Sequence, residues 1–193
     1  MVKGGSESLT GGTKDVNPQW MYLPCSNELN ANGDGISTTI FQTPVNRVSG
    51  SSTKATIMEV LKIRYRLAMP TVTNILSPRQ VNILQVFPGR QSLNSFLDGE
   101  SGILDQVVKM NGSHSANDVK FEDMVVIHDL TDGAGHGVLV ATDQISVLNV
   151  IIGYDDDANV TVLGSVDILY RFKSVGITEY IGLVQSQQLV INI

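Results

Sequence analysis

TIMEVLKIRYRLA, residues 56–68, sorts its side chains by parity. Ile57, Leu61, Ile63, Tyr65 and Leu67 fall on one parity, and Lys62, Arg64 and Arg66 on the other. Successive side chains of a strand point to opposite faces, so the pattern predicts a strand with an apolar core face and a cationic outer face. A helix would mix the two sets. A slip of one residue would turn the cations inward, and unpaired buried charge is strongly unfavourable. The segment 166–173 obeys the same rule, with Val166, Ile168, Tyr170 and Phe172 against Asp167, Arg171 and Lys173.

Outward from these runs, residues 119–188 hold four strand-like stretches in succession: VKFEDMVVIHDL, GVLVATDQISVLNVIIGY, NVTVLGSVDILYRFKSV and TEYIGLVQSQQ. Gly- and Asp-rich turns, DGAGHG and YDDDAN, punctuate them. The run 138–154 is apolar on both parities over its second half, as expected of a strand covered on one face by the core and on the other by a loop or a neighbouring subunit. A buried helix is the competing reading; the Val and Ile content and the turn at Gly153–Asp157 favour the strand. One short helix is predicted over 101–110, where Ile103, Leu104, Val107 and Val108 recur at helical spacing before Asn111-Gly112.

All six prolines lie in the first 88 residues. Proline is confined to sheet edges and connections, so the first part reads as shorter strands and the second as the body of a sheet. The sum is an all-β class: an antiparallel jelly roll or related Greek-key β-sandwich, with one short helix in a connection. Residues 1–19, Gly/Ser/Thr-rich with Lys3 and Lys14, read as a flexible leader, and 20–193 as a single jelly-roll domain.

Only 17% of the 193 residues are charged, against about a quarter in a typical domain. Either part of the surface faces other subunits, or Ser, Thr, Asn and Gln replace charge on an ordinary surface. The net charge of −6 argues against strong direct nucleic-acid binding, which needs surplus Lys and Arg. No run reaches the length of a transmembrane segment. Cys25 is the one cysteine; it reads as a small residue beside Pro24, and only a nearby His would make it a nucleophile.

Chemical constellations are sparse. Asn30-Ala31-Asn32-Gly33-Asp34 imitates half of a calcium loop, but Phe41 stands where the bidentate carboxylate belongs, so a plain turn is expected. Asp155, Asp156 and Asp157 are adjacent carboxylates whose repulsion a cation would relieve, making them candidates for a metal between subunits beside the simpler reading as a solvated turn. Asp129 to His136 crowds carboxylates with one histidine, without a second His for zinc or a G-x-S-x-G turn. No catalytic residue and no cofactor are expected. Lys62, Arg64 and Arg66 are the candidate contact for a polyanion, lipid head groups or an acidic neighbouring subunit.

DLTDGAGHGVLVATDQI (129–145) and VDILYRFKSVGITEYIGLVQSQQ (166–188) resemble the end of single jelly-roll coat proteins of small icosahedral viruses, with a late -ILYRFK- strand followed by an -EYIG- strand. The resemblance implies a jelly roll, symmetric self-assembly in a virion and no enzymatic activity. The departure is the missing Arg/Lys-rich arm, which puts direct genome packaging in doubt. A second coat protein, another basic component or an internal membrane would then line the shell. The apolar tail Leu189-Val190-Ile191-Asn192-Ile193 is expected to dock on a neighbour. The alternative from another class is a carbohydrate-binding β-sandwich. Such a module would present an aromatic platform, and aromatics are 6% of this chain with one tryptophan, Trp20.

Overall fold

In the computed structural model the described residues are 17–30, 33–44, 53–67, 79–89, 102–112, 124–153 and 161–188. They form β1 (Gln19–Glu28), β2 (Gly35–Gln42), β3 (Lys54–Leu67), β4 (Arg79–Pro88), β5 (Asp105–Gly112), β6 (Met124–Asp129), β7 (Val138–Val140), β8 (Gln144–Ile152), β9 (Thr161–Gly176) and α1 (Ile177–Gln188). The pairings nest antiparallel: β1 with β9, β2 with β8, β3 with β6 and β4 with β5. The chain is thus one long doubled ribbon. Rolled up, it gives one sheet ordered β1-β9-β3-β6, with β7 also on β3, and another ordered β2-β8-β4-β5. That is a jelly roll.

The core lies between the sheets. Leu23, Cys25, Ile63, Tyr65, Leu67, Val166, Ile168 and Tyr170 point into it from the first sheet, and Leu84, Val86, Ile145 and Val147 from the second. Phe172 packs at its margin, edge-on to Tyr170.

The parity reading holds from Lys62 onward and reverses before Leu61. The β3–β9 register shifts between Val60 and Lys62, so Leu61 is the extra residue of a β-bulge. Met58 and Val60 face the core with Ile63. Ile57, expected in that core, is buried on the opposite face with Ala141 and Val175, under Tyr180, Leu183 and Val184 of α1. An unbroken period of two across residues 57–67 hides the bulge. The partner strand is broken at the same height: β6 stops at Asp129, Leu130 N–H donates to Leu61 O at 2.8 Å, and β7 rejoins β3 opposite Met58–Val60.

Two elements differ from expectation. Residues 105–110 are strand, not helix. Val107 is buried while Gln106 and Val108 are exposed, a period of two set by pairing with the edge of β4. Residues 177–188 are helix, not strand. Tyr180, Leu183, Val184 and Gln187 recur at helical spacing, and that stripe lies on the outer patch of Ile57, Ala141 and Val175. Among the described residues the helix therefore follows the last strand and does not sit in a connection. The carboxamide of Gln187 accepts from Ala141 N–H at 2.9 Å and donates to Leu139 O at 2.7 Å, so it mimics a strand residue along β7.

β8 is covered on both faces as its composition predicts. Ile145 and Val147 belong to the core, and Leu148 and Val150 are buried with Phe87 on the outside of the second sheet. Residues 1–16, most of the expected leader, and 189–193 lie outside the described residues; strand pairing is described from Gln19, opposite Tyr170.

Candidate functional site

Alternation puts Lys62, Arg64 and Arg66 on the outer face of the first sheet, as their parity predicts. β9 runs alongside and places Asp167 opposite Arg64. The Arg64 guanidinium donates to Asp167 Oδ2 at 2.7 Å, and Arg66 reaches the same oxygen at 3.3 Å. The Asp167 side chain is 5% exposed, against 30% for Arg64 and 50% for Arg66. Burial of this carboxylate is compensated by two guanidinium groups. Arg64 also stacks over the Trp20 ring at 4.8 Å, a cation–π contact. Lys62 pairs with Asp129 at 2.8 Å; hydrogen bonds from Lys62 and Thr131 hold the Asp129 carboxyl well below the usual range.

Around these charges the face is apolar and open. Tyr22, Val125, Ile127 and Leu163 are all exposed by more than half. Arg64, Arg66, Tyr22, Val125 and Leu163 border a groove of about 550 Å³ floored by Gly164 and Ser165. The cationic strip is therefore half of an aromatic, apolar and ion-paired surface. Asp167 and Tyr22 were missed as site residues. Asp167 is visible on the polar parity of 166–173, but pairing β9 with β3 requires the topology.

The outer face of the second sheet is different. Outward positions along Ile36–Ile40, Val81–Phe87, Gln106–Met110 and Ser146–Ile152 carry no charged residue. Phe87, Leu148 and Val150 are buried at its centre, and Ile36, Ile40, Val108, Met110 and Ile152 stand exposed around them, Met110 by 72%. Gln85 and Gln106 join across strands β4 and β5 at 2.8 Å. The two sheets are tied at their β5 and β6 edges by His128 Nδ1 and Asp105 Oδ2, 2.7 Å apart, with Tyr65 edge-on to the imidazole.

The remaining candidates resolve as structure. Burial pushes the Cys25 thiol up to about 12, so the nucleophilic thiolate is suppressed. Asp34 N–H donates to Asn30 Oδ1 at 3.1 Å, and Gly33 takes φ 72°; this is a local turn. Asp132 Oδ1 accepts from Ala134 N–H and His136 N–H, and Gly135 has φ 81°. Beneath that loop lies a cluster the sequence reading missed. Glu59 is fully buried, bonded to Arg171, 3.5 Å from Lys173, and accepts from Gly137 N–H at 3.1 Å. Burial raises its pKa, but the Arg171 bond, the Gly137 N–H and the two cations outweigh this and leave it below 4.5. A lone Glu inside the apolar run IMEVL is the signal that was available. Among the described residues no cluster of His, Cys, Asp or Glu fits a metal ion; Asp155, Asp156 and Asp157 lie outside them.

No family model and no curated protein matches the sequence. The likeness lies in structure and is one of fold: a jelly roll similar to that of viral capsid proteins. Merkel cell polyomavirus VP1 in complex with 3'-sialyllactosamine superposes with a TM-score of 0.53 at 9% identity, over 86% of this chain and 99% of that one. The same virus's VP1 as an unassembled pentamer gives 0.50 at 9% identity, over 85% and 98%. Its virus-like particle gives 0.50 at 9% identity, over 91% and 79%.

Proposed function

We propose that this chain is a structural, self-assembling subunit of an icosahedral viral shell, with other copies of itself as its main partner and the virion as its place of action. The observation that carries the reading is the outer face of the second sheet, where the outward positions of Ile36–Ile40, Val81–Phe87, Gln106–Met110 and Ser146–Ile152 carry no charge and five exposed apolar side chains ring a buried centre. Charge depletion with clustered exposed apolar groups is the composition of a protein interface core. A jelly roll shared with VP1 pentamers and a virus-like particle supports it. Among the described residues, the Cys25 thiol is buried, and the histidine–carboxylate crowding at Asp132–His136 serves a turn.

The net charge of −6 makes phosphate a poor driver of assembly, so a second coat protein, a basic component or an internal membrane would carry the contact with the genome. Replacing Val108 and Met110 by Lys tests the interface. Both side chains are already exposed, so the fold should survive, with a far-ultraviolet spectrum like wild type. Particles seen by negative-stain microscopy should disappear. Unchanged particle yield in the double variant would contradict the assignment of this face.

A second reading, a glycan-recognition module, is favoured by one observation. Trp20 and Tyr22 stand open on the first sheet beside two arginines, as stacking on a sugar and holding its carboxylate would require. A glycan array with wild type and Tyr22→Ala distinguishes it.

A further inference from the structure

The outer face of the first sheet is not used by that reading of the second. Across β1, β9, β3 and β6 the register lays Tyr22, Asp167, Arg64 and Ile127 in one row. The cations of β3 therefore run up the middle of the face. Exposed apolar side chains stand on both sides of them: Trp20, Tyr22 and Leu163 on β1 and β9, Val125 and Ile127 on β6. The face is three strand spacings wide, about 14 Å. Counted along β3, β6 and β9 it carries Lys62, Arg64, Arg66, Arg171 and Lys173 against Glu59, Asp129 and Asp167. In a chain of net charge −6 this is a positive face on an acidic molecule. At the mouth of the groove Arg66 keeps half of its side chain in solvent, between Tyr22, Val125 and Leu163.

The make-up of this face selects its partner. Asp129 and Asp167 partly neutralise the cations, so the face lacks the cation excess that grips a nucleic-acid backbone. Val125, Ile127 and Leu163 are aliphatic and neither stack on bases nor hydrogen-bond to them. A bilayer surface takes every group present: aliphatic side chains enter the acyl boundary, Trp and Tyr rings sit at head-group level, and long basic side chains reach phosphate. The surplus positive charge complements anionic head groups, and the acidic remainder of the chain turns this face toward them. We infer that the outer face of the first sheet docks on a bilayer containing anionic phospholipid. Arg66 is its contact for a head-group phosphate at the groove, and Tyr22, Leu163, Val125 and Ile127 are its apolar contact. Arg64 stays on Asp167 and Trp20 and holds the face in shape. The contact needs no assembly through the second sheet, whose outer face lies on the opposite side of the sandwich.

Trp20 is the one tryptophan of the chain and stands half-exposed on this face, so its emission reports on the contact. The full, nuclease-treated chain is floated with vesicles of phosphatidylcholine alone and of phosphatidylcholine mixed equally with phosphatidylserine. Binding to the mixed vesicles should be stronger by about fivefold or more, and Arg66→Gln should weaken it about fivefold, the scale of one basic side chain at an anionic surface. Tyr22→Ser with Leu163→Ser should weaken it at least as much. These side chains are exposed, so each variant should keep the wild-type far-ultraviolet spectrum. Trp20 emission should shift to the blue on binding and be quenched by brominated acyl chains. Absence of flotation at every lipid concentration overturns the inference. Flotation with unchanged Trp20 emission puts the contact on another face and also overturns it, as does wild-type binding by both variants. Release from vesicles by glycerophosphoserine at matched ionic strength would mean that the groove takes a soluble anion alone, and the membrane contact fails. If an oligonucleotide binds wild type but not Arg66→Gln where vesicles bind neither, the partner is nucleic acid and the inference fails. Particles that bind no vesicle keep the assembly reading and remove this one; a chain that stays monomeric in solution yet binds vesicles does the reverse.

Discussion

Gly137 is the residue on which the interrupted edge strand depends. A Cβ there would lie 2.1 Å from Val60 O, a backbone atom that cannot step aside while β7 pairs with β3. Gly137→Ala should destabilise the fold by about 3 kcal/mol or more, as overpacking against fixed backbone does, measurable by urea denaturation. A loss below about 0.5 kcal/mol, the range of ordinary surface substitutions, would mean that the strand re-enters by another path. Glu59 sits next to it. Removing it as Glu59→Ala leaves Arg171 and Lys173 facing a buried gap and should cost about 3 kcal/mol, at the lower end for a broken buried pair because both cations keep some solvent contact. The pH dependence follows from the lowered pKa. A group whose carboxyl is depressed in the fold contributes fully above its ordinary value of 4.5 and loses that contribution as pH falls through the depressed value. The wild-type Tm should therefore drop more steeply below pH 4.5 than that of Glu59→Gln; parallel curves would remove Glu59 from the acid response.

At the level of elements, β3 and β9 were legible because alternation of Ile63, Tyr65 and Leu67 with Arg64 and Arg66 is a local signal with one solution. β8 was legible for the opposite reason: both parities apolar means both faces covered. The failures are also physical. The bulge at Leu61 inserts one residue without changing the composition of the run, so Ile57 kept the apparent parity of the core and lies instead under α1. In β5, the adjacent Val107 and Val108 can share one helical face or point to opposite faces of a strand, and pairing with β4 decided between them. In α1, the stripe Tyr180, Leu183, Val184 and Gln187 was readable, but Ile, Tyr and Val suggest a strand when the patch they cover is unknown. That patch makes α1 testable. Gln187→Ala removes both carboxamide bonds to β7 and should cost about 1–3 kcal/mol. Hydrogen exchange should speed up at Ala141, whose N–H loses its acceptor, and in α1, with the β8 amides unchanged. Uniform acceleration across the molecule would show that the clasp is not local.

For the whole molecule, the nested pairing of β1 with β9 through β4 with β5 explains why fold class was readable while the site was only half so. A rolled ribbon needs many alternating strands with turns, and those are written locally. The candidate surface is assembled by the roll itself: Arg64 meets Asp167, distant in sequence, only once β3 and β9 are neighbours. The cationic strip could be seen, but not the carboxylate that half-neutralises it or the groove beside it. Charge depletion was visible in composition, and its concentration on one sheet face required the register. These features are what the proposal of a self-assembling subunit rests on. The most direct measurement is negative-stain microscopy with light scattering on the purified, nuclease-treated chain at rising concentration. Closed particles of uniform size, formed without nucleic acid, are the predicted result. A monodisperse monomer across the whole range would contradict it.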